Sequence, residues 1–266
     1  MYDSIALGGG GSRGFLHVGA LRALQEVKGN LEFPGGIYGQ SIGAVVAVAV
    51  AFRIPIDTIE QIAREKLFMS KAFPEMRVEN VTEFLDTKGL FSMDLFEQIM
   101  IEVYEMGGID IRTKRIRDAP QPLSIVASNV TTGKSCLLTG DVPILKALRC
   151  SSCIPFLFRP ETLYGHLYVD GTIYSRSIRQ VVPPGTLVFQ LSVGEYNPTD
   201  FGSYVYALTS GPAHQYTGET MIVFRNIPTA MAADATPEEI TTMIAEGYSQ
   251  ARSWLAERIP QKLEEA

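Results

Sequence analysis

The sequence predicts an α/β protein built on a central, largely parallel sheet flanked by helices. Three observations lead there. Short apolar runs alternate with segments of helical spacing along most of the 266 residues, as in parallel α/β architectures. A glycine run, Gly8 to Gly11, follows the first apolar run and precedes the first helical pattern. A second tight junction, Gly39-Gln40-Ser41-Ile42-Gly43, joins another apolar run to an apolar helix. Hydrophobic residues make up 46% of the chain and charged residues 20%, enough for a sizeable core. The length suits one domain over residues 1–266, and neither repeats nor a linker divide it.

Element by element, Ser4 to Leu7 reads as a short buried strand. Phe15 to Val27 follows as a helix, with Leu16, Ala20, Leu24 and Val27 on one side and Arg22, Gln25 and Glu26 on another. Pro34-Gly35-Gly36 turns the chain into a second strand that ends at Ser41. Ile42 to Phe52 is apolar all round, which marks a buried helix. Asp57 starts a helix from Thr58 to about Phe68. Residues 70–120 read as mostly helical and irregular, with a helix opening at Ser92 or Asp94, an apolar face of Leu95, Ile99 and Val103, and a stop at Gly107-Gly108. Strands are expected at Leu123 to Ala127, Cys136 to Leu138, Leu167 to Val169 and Thr186 to Ser192, the last clear one. A short helix covers Val142 to Leu148. A terminal helix runs from Pro237 to Arg258, with a stripe of Ile240, Met243, Ile244, Tyr248, Ala251 and Leu255.

Charge and composition exclude some functions. A net charge of -6 gives a nucleic-acid partner no support. The one basic stretch, Arg112, Lys114, Arg115 and Arg117, reads as a solvated face. The longest apolar stretch, Ile42 to Phe52, is too short to span a bilayer. No secretory leader is read at Met1-Tyr2-Asp3, and three cysteines then suggest a reducing compartment. The expected location is cytoplasmic, peripheral at membranes.

Acyl-transfer chemistry needs a nucleophile, a base and donors for an oxyanion. A serine on a strand-to-helix turn holds its hydroxyl out of the fold, which suits Ser41 to attack a carbonyl. Glycines after a strand and before a helix leave backbone N–H groups bare at a positive helix terminus. Arg13 fits either support of that loop or a surface position. Of the three histidines, His17 falls inside the first helix, His166 precedes a strand and His214 lies in a Gly-Pro-rich segment; none sits in a compelling motif. Asp170-Gly171 ends a strand, as carboxylates do at the C-terminal edge of parallel sheets, and also fits an ordinary turn.

Four blocks in order make the chain resemble the patatin-like phospholipases: Gly9-Gly10-Gly11-Ser12-Arg13-Gly14, Gly39-Gln40-Ser41-Ile42-Gly43, Cys150-Ser151-Ser152-Cys153-Ile154-Pro155-Phe156-Leu157-Phe158 and Tyr168-Val169-Asp170-Gly171. Gly89-Leu90-Phe91 and Thr131-Thr132-Gly133 are weaker matches. The likeness covers residues 4 to about 192; the role of 200–266 stays open, as a lid, a pocket wall or a structural cover. The resemblance implies a three-layer fold and a lipid acyl hydrolase of phospholipase A type with no metal or organic cofactor. It also implies a Ser41–Asp170 dyad, and an oxyanion hole served by Gly10, Gly11 and Arg13. The implied partners are a lipid substrate and a transient membrane surface. Burial beside apolar groups such as Phe156, Leu157 and Phe158 is expected to raise the Asp170 pKa. Two departures stand out: Thr172, where the family has Gly or Ala, implies a tighter pocket behind the carboxylate, and Cys150 and Cys153 replace small Ala or Ser residues.

Four other readings compete. Gly9 to Gly14 also fits a dinucleotide loop, which wants an acidic residue at the end of the second strand and finds none. Ser41, Asp170 and His214 have the chain order of an α/β-hydrolase triad. Cys150-Ser151-Ser152-Cys153 has the spacing of a dithiol or half a zinc site. A non-catalytic lipid- or protein-binding module of the same scaffold is the fourth.

Overall fold

The computed structural model describes residues 2–66, 77–191, 204, 218–224 and 235–258. Its centre is an eight-stranded sheet. The strands are β1 (Ser4–Leu7), β2 (Gly36–Gln40), β4 (Leu123–Asn129), β5 (Lys134–Leu138), β7 (Glu161–Leu163), β8 (His166–Val169), β9 (Leu187–Leu191) and β10 (Met221–Phe224). They lie in the order β10-β9-β1-β2-β4-β8-β7, with β5 paired to β4 off that path. The pairs β10–β9, β9–β1, β1–β2 and β2–β4 are parallel, whereas β4–β5, β4–β8 and β7–β8 are antiparallel. A separate parallel pair joins β3 (Gly89–Phe91) to β6 (Phe156–Phe158).

Period-two alternation sorts side chains to the two faces. Ile5, Leu7, Ile37, Ile125, Leu187, Phe189, Ile222 and Phe224 enter the main core. Ala6, Val126, Val188 and Met221 enter a smaller cluster with Ile178, covered by a short turn of helix at Ile178–Gln180. The main core is roofed by α1 (Phe15–Lys28), α2 (Ile42–Ala51), α7 (Ile144–Ser152) and α8 (Pro237–Arg258). Further helices are α3 (Ile56–Lys66), α4 (Val78–Thr82), α5 (Phe84–Thr87) and α6 (Asp94–Met106). Every residue of α2 from Gly43 to Ala51 is buried, as its all-apolar sequence requires.

Three expectations need correction. The face α6 buries is Phe96, Met100, Val103 and Tyr104. It is turned one residue from the expected one, because the larger side chains win the interior and the Tyr104 hydroxyl finds Val45 O at 2.8 Å. The strand Met221–Phe224 lies beyond the last one expected, four residues being too few for an alternation signal. The strand leading to Asp170 runs antiparallel to β4, with Val169 opposite Ser128, so Asp170 does not sit at a parallel strand end.

The terminal helix α8 is a structural cover for α1. The two helices cross at facing glycines: a Cβ on Gly19 would lie 1.9 Å from Ile244 O, and one on Gly247 would lie 2.2 Å from Leu16 O. Backbone against backbone leaves no side chain to yield. Gly19→Leu or Gly247→Leu should therefore destabilise the fold by about 3 kcal/mol or more. Urea unfolding measures this, and an unchanged midpoint would contradict the crossing.

Candidate active site

Ser41 occupies the turn between β2 and α2 with φ 53° and ψ −128°, a conformation that L-residues rarely hold. Gly43 permits the turn, since a Cβ there would lie 2.1 Å from Leu7 O and 2.7 Å from Gly8 O. Gly39 and Gly14 are closed in the same way, by Ala44 Cα at 2.4 Å and Ile42 Cγ1 at 2.3 Å. The Ser41 hydroxyl donates to Asp170 Oδ2 at 2.7 Å across 129 residues of sequence. Ser41 and Asp170 are both buried.

Asp170 is fixed from both sides. Its amide donates to Cys153 O at 2.9 Å, and the Gly171 amide donates to Ser151 O at 3.0 Å. Oδ1 accepts from the Thr172 amide at 2.9 Å and the Thr172 hydroxyl at 2.7 Å. Burial lifts the carboxyl above its ordinary range, and the bonds from Ser41 and Thr172 pull partly the other way. Of the apolar residues expected beside it, Leu157 and Phe158 are buried and Phe156 is half exposed at 50%.

The glycine loop lies against this pair. A Cβ on Gly9 would meet Thr172 Cγ2 at 2.6 Å and Ser41 Cβ at 3.0 Å. Gly11 has φ 59°, the left-handed region that favours glycine, and opens a 3-10 turn at Gly11–Gly14 that runs into α1. The Gly8 amide is engaged by Phe189 O at 2.9 Å, and the Gly9 amide meets Gln40 Oε1 at 3.4 Å. Among the described residues the Gly10 and Gly11 amides meet no protein acceptor. The Arg13 amide donates back to Gly10 O at 3.3 Å, and its side chain is buried at 2% exposure, which removes the surface option.

Two further residues join the three segments, and the sequence reading passed over both. Gln40 is fully buried; its Nε2 donates to Gly171 O at 2.9 Å and Ser175 O at 2.7 Å, while its Oε1 faces the glycine loop. A long amide between Gly39 and Ser41 in an apolar strand was the available signal. Ser151 Oγ accepts from the Ser41 amide at 2.8 Å and donates to Val126 O at 2.6 Å. The Ser41 amide is thereby occupied. Arg149, bonded to Glu161 at 2.7 Å and Glu97 at 2.7 Å, anchors the helix that carries Ser151.

None of the described histidines touches Ser41 or Asp170. His17 is buried, with Nε2 donating to Gly8 O at 2.8 Å, and it stacks on Phe189. His166 Nδ1 faces Asn129 Nδ2 at 3.4 Å. His214 lies outside the described residues. Burial holds the His17 imidazole down to about 4. Below its ordinary pKa near 6.5 the unfolded chain takes up a proton that the folded imidazole refuses. Stability is therefore lost as pH falls from about 6.5 to about 4. Between pH 6.5 and 5 the wild type should lose about 2 kcal/mol more than His17→Gln in urea titrations. Equal losses would contradict this.

Cys150 and Cys153 are buried free thiols, the first pushed up to about 12 by burial and the second well above its ordinary value. Neither is a thiolate at neutral pH, and Cys153 Sγ donates to Tyr168 O at 3.4 Å. No metal-binding cluster of His, Cys, Asp and Glu occurs among the described residues. Beside the elbow, an apolar pocket is lined by Ser12, Gly14 and Phe15 of the glycine loop and α1, by Ile42 and Val46 of α2, and by Ile59 of α3. Among the described residues no helix is long and apolar enough to cross a membrane.

Comparison with known proteins matches residues 5–179 to the model of the family described as patatin-like phospholipase. An uncharacterized NTE family protein of Mycobacterium tuberculosis is 29% identical over 172 residues, covering 64% of this chain and 42% of the relative. Human patatin-like phospholipase domain-containing protein 6 is 23% identical over 205 residues, covering 76% of this chain and 14% of the relative. This chain thus spans less than half the length of either. Among solved structures, VipD from Legionella pneumophila superposes with a TM-score of 0.55 at 15% identity, over 96% of this chain and 67% of that one, a likeness of fold.

Proposed function

The chain belongs to the patatin-like phospholipase family, and from that premise we propose that it is a lipid acyl hydrolase of phospholipase A type working through a Ser41–Asp170 dyad. One observation carries the reading: the buried 2.7 Å hydrogen bond from the Ser41 hydroxyl to Asp170 Oδ2, beside two glycine amides that meet no acceptor among the described residues.

In this reading Ser41 Oγ attacks the ester carbonyl carbon while its proton passes to Asp170 Oδ2. The carbonyl oxygen takes the negative charge and accepts from the Gly10 and Gly11 amides, each such donor being worth about 3 kcal/mol to the transition state. Arg13 holds the loop that presents them. Collapse breaks the bond to the alcohol, which leaves with the proton held by Asp170. Water then attacks the acyl-enzyme, gives its proton to the same carboxylate, and releases the fatty acid and the Ser41 hydroxyl. A carboxylate at its ordinary pKa of about 4 is a feeble base, and burial of Asp170 strengthens it. The apolar pocket by Ile42 suits an acyl chain, and the substrate is reached at a lipid surface.

The test is lipid hydrolysis by wild type, Ser41→Ala and Asp170→Asn. Vesicles of phospholipid, lysophospholipid, galactolipid and acylglycerol are incubated with each, and free fatty acid is read by mass spectrometry. Release from at least one class by wild type alone is expected. No release from any class would favour a non-catalytic lipid-binding scaffold.

A further inference from the structure

We propose that Thr172 is a positioning residue for the dyad, locking Asp170 Oδ1 with its amide and hydroxyl so that Oδ2 is presented to Ser41. The inference rests on the dyad reading above and adds a residue to it.

Two donors from one residue meet Oδ1, the amide at 2.9 Å and Oγ1 at 2.7 Å. A carboxylate held this way cannot rotate about χ2 without losing both bonds. The amide bond alone is a common turn feature, made by many aspartates to the residue two ahead. The hydroxyl is not needed for that turn. The backbone at this point is already held by Cys153 O and Ser151 O, which accept from the Asp170 and Gly171 amides. Among the described residues the hydroxyl donates to Asp170 Oδ1 alone. The methyl group of the same side chain packs against Gly9, where a Cβ would approach it to 2.6 Å. Thr172 therefore touches both the carboxylate and the glycine loop, and its rotamer fixes one relative to the other. The tighter pocket expected behind the carboxylate is this contact.

The hydroxyl also donates to the charged form of the acid and so favours it. Among the described residues the side chains that act on Asp170 are the neutral Ser41 and Thr172, and the titratable group facing it is the Cys153 thiol, which burial keeps protonated. Removing the Thr172 hydroxyl should therefore move the Asp170 titration upward without a competing shift from a neighbour.

The experiment is the pH dependence of kcat/KM from pH 4 to 9 with p-nitrophenyl butyrate, for wild type, Thr172→Val, Thr172→Ser and Thr172→Ala. Valine keeps the methyl contact and loses the hydroxyl; serine does the reverse. Thr172→Val should move the acid limb up by about one pH unit and lower plateau kcat about tenfold with KM little changed. Thr172→Ser should keep the limb of the wild type. An unmoved limb in Thr172→Val, or an equal shift in Thr172→Ser, would overturn the proposal. Should valine block folding, the alanine and serine variants make the same comparison. Ser41→Ala and Asp170→Asn run alongside: activity in either defeats the dyad itself, whereas inactivity in both with an unmoved Thr172→Val limb defeats Thr172 alone.

Discussion

Asp170→Asn is expected to lower ester turnover about ten-thousand-fold while leaving the protein folded and raising its melting temperature. The loss follows from the proposed role of Asp170 as base: an amide cannot take the Ser41 proton at any working pH. The gain follows from linkage. The folded Asp170 carboxyl titrates above its ordinary range because burial disfavours the anion. A raised folded-state pKa means that stability is greatest below the unfolded value and is lost as pH rises through the folded one. Above the folded value the full cost is present. Asparagine removes the charge, keeps an acceptor for the two Thr172 donors, and turns its NH₂ toward Ser41 Oγ. A calorimetric scan at pH 7 alongside the activity assay measures both effects. Loss of activity together with a lowered melting temperature would mean that the carboxylate stabilises the fold.

Gly43→Val is expected to abolish activity and leave little folded protein. A Cβ at residue 43 would lie 2.1 Å from Leu7 O, 2.6 Å from Leu7 C and 2.7 Å from Gly8 O, all backbone atoms at the end of β1. Relief requires moving α2 away from the strand that leads into the glycine loop. Ser41 sits two residues earlier, at the cap of that helix, and its hydroxyl would leave Asp170. Overpacking of this kind costs about 1–3 kcal/mol where side chains can yield and more where backbone must. Gly43→Ala gives the graded case: a lowered melting temperature, with activity falling further than stability. Circular dichroism and the ester assay read the two. A fully folded, active Gly43→Val would refute this packing of the elbow.

Much of this frame was legible because its signals are local. The strand Ser4–Leu7, the glycine run and the helix after it follow one another in sequence, as do Tyr38, Ser41 and the apolar helix of Ile42–Ala51. The terminal helix Pro237–Arg258 could be read from its stripe, and its packing on α1 from nothing in the sequence, since the crossing depends on two glycines 228 residues apart meeting backbone to backbone. The direction of β8 was misjudged because a strand-then-Asp pattern is the same whichever way its neighbour runs. Gln40 and Ser151 take no role from the sequence for a related reason. Each acts through hydrogen bonds to partners fixed only by the tertiary fold, as when Gln40 reaches Gly171 across 131 residues. The spacing of Ser41 and Asp170 carried no metric information. Their 2.7 Å contact is a product of β2 and β8 flanking β4.

The most direct test is covalent labelling of Ser41, the proposed nucleophile. Wild type and Asp170→Asn are treated with a fluorophosphonate at pH 7.5, and the adduct is located by peptide mass spectrometry. The account predicts one adduct, on Ser41, forming at least about a hundredfold more slowly in Asp170→Asn. An adduct on another residue, or equal rates in the two proteins, would contradict it.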